Sequence, residues 1–198
     1  MASKTTIAQA LGTDGSDFTH RQRVASQYQT SAMNKSRLNK CIWFHFLLFF
    51  VMLTKLLPDI LDRLDIFILE VEELQVPKVL PLWWEYIWLS NVLVPFIGLS
   101  AIKKNQIKSM TRFIYGIGLL GFGPIIYATI YYLPDVWVYL TVGKTEDILL
   151  WKVKYFDLPY GLLWYAFILA AFQVHSFTLY FSSKLLSAWK SRGLRKAD

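Results

Sequence analysis

Four apolar stretches, at about residues 41–57, 82–102, 113–133 and 160–181, limit what this chain can fold into. A bilayer core is roughly 30 Å thick, and a helix crosses it in about 17–25 residues. Lipid offers no hydrogen-bond partner to an exposed backbone, so each crossing must be helical and an open sheet would leave its edges bare. The sequence therefore predicts an all-α membrane protein, a bundle of four transmembrane helices. A hydrophobic content of 55% and a mean hydropathy of +0.35 argue against a soluble chain. The first stretch is the weakest, being short and carrying Lys55.

Charge between the stretches alternates. Residues 1–40 hold Lys4, Arg21, Arg23, Lys35, Arg37 and Lys40 against Asp14 and Asp17, a net +4. Residues 58–81 set Arg63 and Lys78 against Asp59, Asp62, Asp65, Glu70, Glu72 and Glu73, a net −4. Lys103, Lys104, Lys108 and Arg112 return +4, residues 134–159 sum to −1, and residues 183–198 give +4 again. Basic flanks are retained on the cytosolic side during insertion. The alternation predicts both termini and the 103–112 turn in the cytosol. It divides the chain into a cytosolic N-terminal segment (1–40), a four-span domain (41–181) and a basic cytosolic tail (182–198).

The overall charge of +7 does not point to nucleic acid, because the basic residues sit in juxtamembrane blocks. Such blocks contact anionic membrane lipids and set topology. Cys41 is the single cysteine, so no intramolecular disulfide is available. Its place at the predicted membrane edge permits palmitoylation, although an ordinary interfacial cysteine is the simpler reading. About forty polar residues precede the first apolar run, which does not fit a cleavable signal peptide. Ala2 does not fit myristoylation. The sequon Asn34-Lys35-Ser36 falls in the predicted cytosolic segment and should stay unmodified.

Asp14-Gly15-Ser16-Asp17 reads as a turn delivering an N-cap at Ser16 or Asp17, followed by a helix over about 18–38 that can run into the first span. Ile60, Leu61, Leu64, Phe67, Ile68 and Val71 recur at helical spacing in the first lumenal loop, predicting an amphipathic helix that Pro58 can begin and that lies along the lumenal interface or extends the first span. Loops of 24 and 26 residues, 58–81 and 134–159, separate the spans on the lumenal side. Trp83, Trp84, Tyr86, Trp88, Tyr131, Tyr132, Tyr160 and Trp164 mark that edge, where an aromatic ring keeps an apolar body and a wet tip.

The string G-I-G-L-L-G-F-G at 116–123 contains a formal GxGxxG, yet it lies inside an apolar span rather than after a strand, and a dinucleotide site is rejected. Its glycines instead permit close helix contact. Pro95 and Pro124 should kink the second and third spans. Ionisable groups at membrane depth need a partner or a purpose. Lys55 and Glu85 can form an intramembrane ion pair, or each can snorkel to its interface. His45, Gln173 and His175 lie at similar depth, which suits interhelical polar contacts; two histidines without a third ligand make a weak metal site. No paired-carboxylate site, nucleophile elbow or phosphate loop occurs in a suitable context, so the sequence reads as a non-enzyme without a cofactor. Arg195 and Lys196, fourth and third from the C-terminus, are similar to the dilysine signal by which the coat of retrograde vesicles retrieves membrane proteins.

The residues also carry a family resemblance. G-T-D-G-S-D-F-T-H-R-Q-R-V-A-S-Q-Y-Q-T-S at 12–31 resembles the signature segment of the jagunal family, and Thr13, Asp14, Gly15, Ser16, Asp17, Phe18, His20, Arg21 and Arg23 fall in it. W-E-Y at 84–86, Pro124-Ile125-Ile126-Tyr127, Q-V-H at 173–175 and K-L-L-S-A-W at 184–189 match in order. The first lumenal loop departs from the family by its length and acidity. The resemblance implies a multi-pass endoplasmic reticulum protein, non-enzymatic, needed for organising that organelle and for vesicle traffic in the early secretory pathway. The 12–31 segment then becomes a candidate surface for a trafficking or scaffold partner, with bracing of the bundle as the structural reading. A small transporter or channel using His45, Glu85 and His175, and a purely membrane-shaping protein, are the alternatives.

Overall fold

A computed structural model of the chain describes residues 15–66, 68, 81–143, 150–153 and 156–194. Four helices are long and apolar enough to cross a membrane: Asp17–Arg63, Trp83–Lys104, Ile107–Thr141 and Tyr160–Ser191.

Helix α1, Ser16–Arg63, is one continuous element of 48 residues, about 72 Å long. The helix expected over 18–38 and the first span are thus a single rod. Its start differs from expectation. The N-cap is Gly15 at φ 78°, and no side chain caps the helix. Pro58 does not begin a helix but lies inside α1. The chain leaves α1 at Leu64 and Asp65, the latter at φ 59°. The amphipathic helix expected through Val71 therefore ends at Arg63: Leu64, Ile66 and Ile68 are not helical, and Phe67 and residues 69–80 lie outside the described residues.

The second span is split into α2, Trp83–Ser90, and α3, Leu93–Lys104. Pro95 has no N–H, and its ring excludes the carbonyl four residues back, that of Asn91. That carbonyl accepts from the Val94 N–H at 3.0 Å instead. The break therefore falls at Asn91-Val92, one turn ahead of the proline. Asn105, left-handed at φ 54°, closes α3 and begins a tight turn into α4, Ile107–Gly116.

A π-helical segment, Ile117–Phe122, then leads into α5, Gly123–Thr141. Pro124 sits in the first turn of α5, and the wider turns before it absorb the bond that it cannot make. Helix α5 continues through Pro134 well into the stretch expected as a loop. That stretch also holds an antiparallel ribbon, β1 (Leu150–Val153) and β2 (Phe156–Pro159), with Val153 opposite Phe156. Helix α6, Tyr160–Leu194, completes the fold.

Glycine decides how closely the second and third spans pack. A Cβ on Gly98 would meet the Phe113 ring at 2.7 Å, and one on Gly116 would meet Val94 at 2.7 Å. Around these contacts the interior forms two apolar cores. One, near the basic 103–112 turn, joins Leu38, Ile42, Val94, Met110, Phe113, Ile117, Leu185 and Trp189. The other, at the opposite end, joins Leu48, Met52, Leu56, Trp84, Trp88, Ile125, Tyr132 and Trp164. The gap between them holds the polar site.

Candidate functional site: a polar layer and an ion pair inside the bundle

On every span a polar or glycine position separates the two cores. His45 lies between Ile42 and Leu48, Asn91 between Trp88 and Val94, Gly121 between Ile117 and Ile125, and His175 between Ala171 and Leu185. Both backbone irregularities, the α2–α3 break and the π segment, occur at this level. Side chains of His45, Asn91 and His175 are buried. Asn91 Nδ2 lies 3.3 Å from His45 Nε2, and Trp88 Nε1 donates to His175 Nε2 at 3.3 Å. The His45 ring stacks on Trp88 (centroids 5.7 Å, planes 13° apart) and lies 4.9 Å from the His175 ring. An indole N–H can only donate, so His175 Nε2 must be the unprotonated acceptor. Gly121 admits the layer: a Cβ there would lie 3.2 Å from Asn91 Nδ2 and from His175 Nε2. Of the other glycines in the string, Gly118 and Gly123 face open space.

The structure separates the three residues that the sequence grouped. It brings His45 and His175 together and turns Gln173 to the outer face, exposed. It adds two that sequence reasoning passed over, Asn91 and Trp88. The signal for Asn91 was available, since an amide amid an apolar run is as costly as a charge is conspicuous. Trp88 was read as a boundary marker, and nothing in its spacing distinguishes a donor to histidine from a ring at the interface. No group of three or more His, Cys, Asp or Glu side chains suited to a metal is gathered among the described residues.

Toward the other end, the Lys55 ammonium is ion-paired with Glu85. Glu85 occupies the first turn of α2, where its carboxylate also accepts the Leu82 N–H at 3.3 Å and meets the positive end of the helix dipole. The carboxylate is fully buried and the lysine partly so. Lys55 Nζ lies 5.5 Å over the Trp164 ring, a cation–π contact. A second group lies one turn further along α1: Asp59 accepts from Tyr86 and from Arg63 Nε, the latter at 2.7 Å.

Between His45 and Lys55 the inward positions of α1 are Leu48 and Met52, both in the apolar core. Among the described residues the polar lining is thus interrupted, which counts against a channel through this axis. Cys41 is buried, turned into the bundle rather than toward a lipid anchor. At the N-terminal end, Asp17 pairs with Arg21 on an exposed surface, and Phe18, His20 and Arg23 are exposed. Thr13, Asp14, Arg195 and Lys196 lie outside the described residues.

Four apolar helices packed on two cores and joined by buried polar contacts define a multi-pass membrane protein. The profile of one family, described as "Jagunal, ER re-organisation during oogenesis", matches residues 1–193. The chain is 52% identical over 186 residues to Protein jagunal of Drosophila melanogaster, covering 91% of each chain. It is 31% identical over 180 residues to Protein jagunal homolog 1 of Homo sapiens, covering 91% of this chain and 90% of that one. With Protein jagunal homolog of Caenorhabditis elegans it shares 30% over 194 residues, covering 91% and 93%. The chain belongs to the jagunal family.

Proposed function

We propose that this protein resides in the endoplasmic reticulum membrane with both termini in the cytosol. There it supports organisation of that organelle and vesicle traffic in the early secretory pathway, without catalysis, through its cytosolic face. Family membership supports the organelle and its organisation. The observation that carries the mode of action is the exposure of the first turns of α1: from Asp17 to Thr30 no side chain is buried, whereas Ser31, Asn34 and Leu38 are. A helix that only braced the bundle would bury a stripe from its first turns. This one offers Phe18, His20, Arg21 and Arg23 to a trafficking or scaffold partner. The retrograde vesicle coat, reading Arg195 and Lys196, is the partner proposed for the tail.

Deleting residues 1–28 separates docking from bracing, because it stops short of Ser31. Membrane insertion and thermal stability should be retained while partners recovered by proximity labelling from the C-terminus are lost. A destabilised bundle, or an unchanged set of neighbours, would reject the docking role. Changing Arg195 and Lys196 to serine should release the protein to the Golgi if the tail is a retrieval signal; unchanged residence rejects it.

A further inference from the structure

The turn of α6 that carries His175 to the bundle axis carries Gln173 to the outside. Along the helix, Gln173 lies about 20 Å from Tyr160 and about 16 Å from Lys184, near the middle of a hydrocarbon layer roughly 30 Å thick. A primary amide has two donors and an acceptor, and lipid satisfies none of them. The exposed hydroxyls of Thr54 and Ser90 fold back onto the carbonyls of Phe50 and Ile87. The Gln173 amide makes no hydrogen bond to a described residue.

It also lies on a seam. Ala166, Ala170, Gln173, Phe177 and Tyr180 follow at alternating steps of four and three, and all are exposed. That is the 3.5-residue repeat along which two helices supercoil. The alanines allow close backbone approach, and a mid-membrane amide supplies an interhelical bond.

We propose that a second copy of this chain docks here, α6 against α6, with the two Gln173 amides bonded to each other. Two copies inserted in the same orientation form a closed, symmetric pair about a twofold axis along the membrane normal. A seam residue next to that axis faces its own copy. A glutamine amide is self-complementary, donating and accepting at once, so this one residue meets the requirement. The stripe carries no charge until Lys184, whose ammonium is folded over Tyr180 at 5.7 Å where the helix nears the headgroups.

The test uses the full chain with Cys41→Ser, reconstituted in phosphatidylcholine vesicles. Single cysteines introduced as Ala166→Cys, Ala170→Cys and Phe177→Cys should oxidise to dimers at least fivefold more than Phe172→Cys or Ile130→Cys. Energy transfer between copies labelled with donor and acceptor should fall on lipid dilution. Gln173→Leu should shift that fall to at least fivefold higher protein-to-lipid ratio, leaving tryptophan emission and thermal unfolding unchanged. Uniform or absent cross-linking, or a Gln173→Leu variant that associates like the parent, overturns the proposal. So does a chain that stays monomeric in pure lipid while a different membrane protein is captured at position 173.

Discussion

The Lys55–Glu85 pair and the His45–Asn91–His175 layer lie about 15 Å apart along α1, and they handle buried polarity in opposite ways. The pair is charged, involves two helices, and depends on one direct contact backed by the Leu82 N–H and the Trp164 ring. The layer is assembled from neutral contacts, engages all four spans, and coincides with two backbone irregularities. A charge pair concentrates its cost in whichever partner remains when the other is removed. A neutral layer spreads its contribution over several modest bonds and over the packing that admits them. The pair should therefore fail abruptly and the layer gradually.

The largest expected effect follows from that contrast. Glu85→Leu leaves Lys55 without its carboxylate and should destabilise the bundle by about 3–5 kcal/mol, measured by unfolding in mixed micelles. The double change Lys55→Met with Glu85→Leu removes both charges and should recover most of the loss, because apolar residues of similar volume can replace a buried pair at little cost. Exchanging the two charges should also fold better than either single change. A double variant as damaged as Glu85→Leu would mean that each residue acts alone.

The same contrast explains what could be read in advance. Charges and long apolar runs stand out because both are extreme against their surroundings, so the four spans and the closeness of Lys55 to Glu85 were within reach. The layer was only half legible. His45 and His175 are conspicuous residues, but whether Gln173 or His175 faces the axis depends on helix phase, and a two-residue offset decides it. The prolines were legible only in part, for a related reason. Pro58 occurs where a helix start is permitted, yet α1 runs through it, since a membrane helix has no better-solvated alternative for its backbone. Pro95 does act, but its effect appears four residues earlier, at the carbonyl its ring excludes. In the glycine string, positions 116 and 121 share a packed side only because the π segment intervenes.

A middle-sized effect tests whether the layer depends on that glycine. Gly121→Val would push a branched side chain onto Asn91 and His175 and should cost about 1–3 kcal/mol, the range for overpacking a filled interior. Gly118→Val, three residues away, faces open space and should leave stability within about 0.5 kcal/mol. The two variants share a residue type, a segment and a helix propensity, so a difference between them reports the contact alone. Equal losses would place the sensitivity in the π segment's backbone rather than in the layer.

The smallest effect is also the most specific. Trp88→Phe keeps an aromatic ring beside His45 and removes the indole donor to His175. One neutral bond between membrane helices contributes about 0.6 kcal/mol on average and rarely more than about 1.7, so the variant should lie in that range, well below Glu85→Leu. Asn91→Leu should lie there too, through the loss of its contact with His45. The informative measurement is the pair of changes together. If the layer is one cooperative unit, removing both donors costs less than the sum of the single losses, because the first removal already loosens what the second bond held. Strict additivity would instead describe two independent bonds at the same depth, and the contrast with the ion pair would then be one of charge alone rather than of architecture.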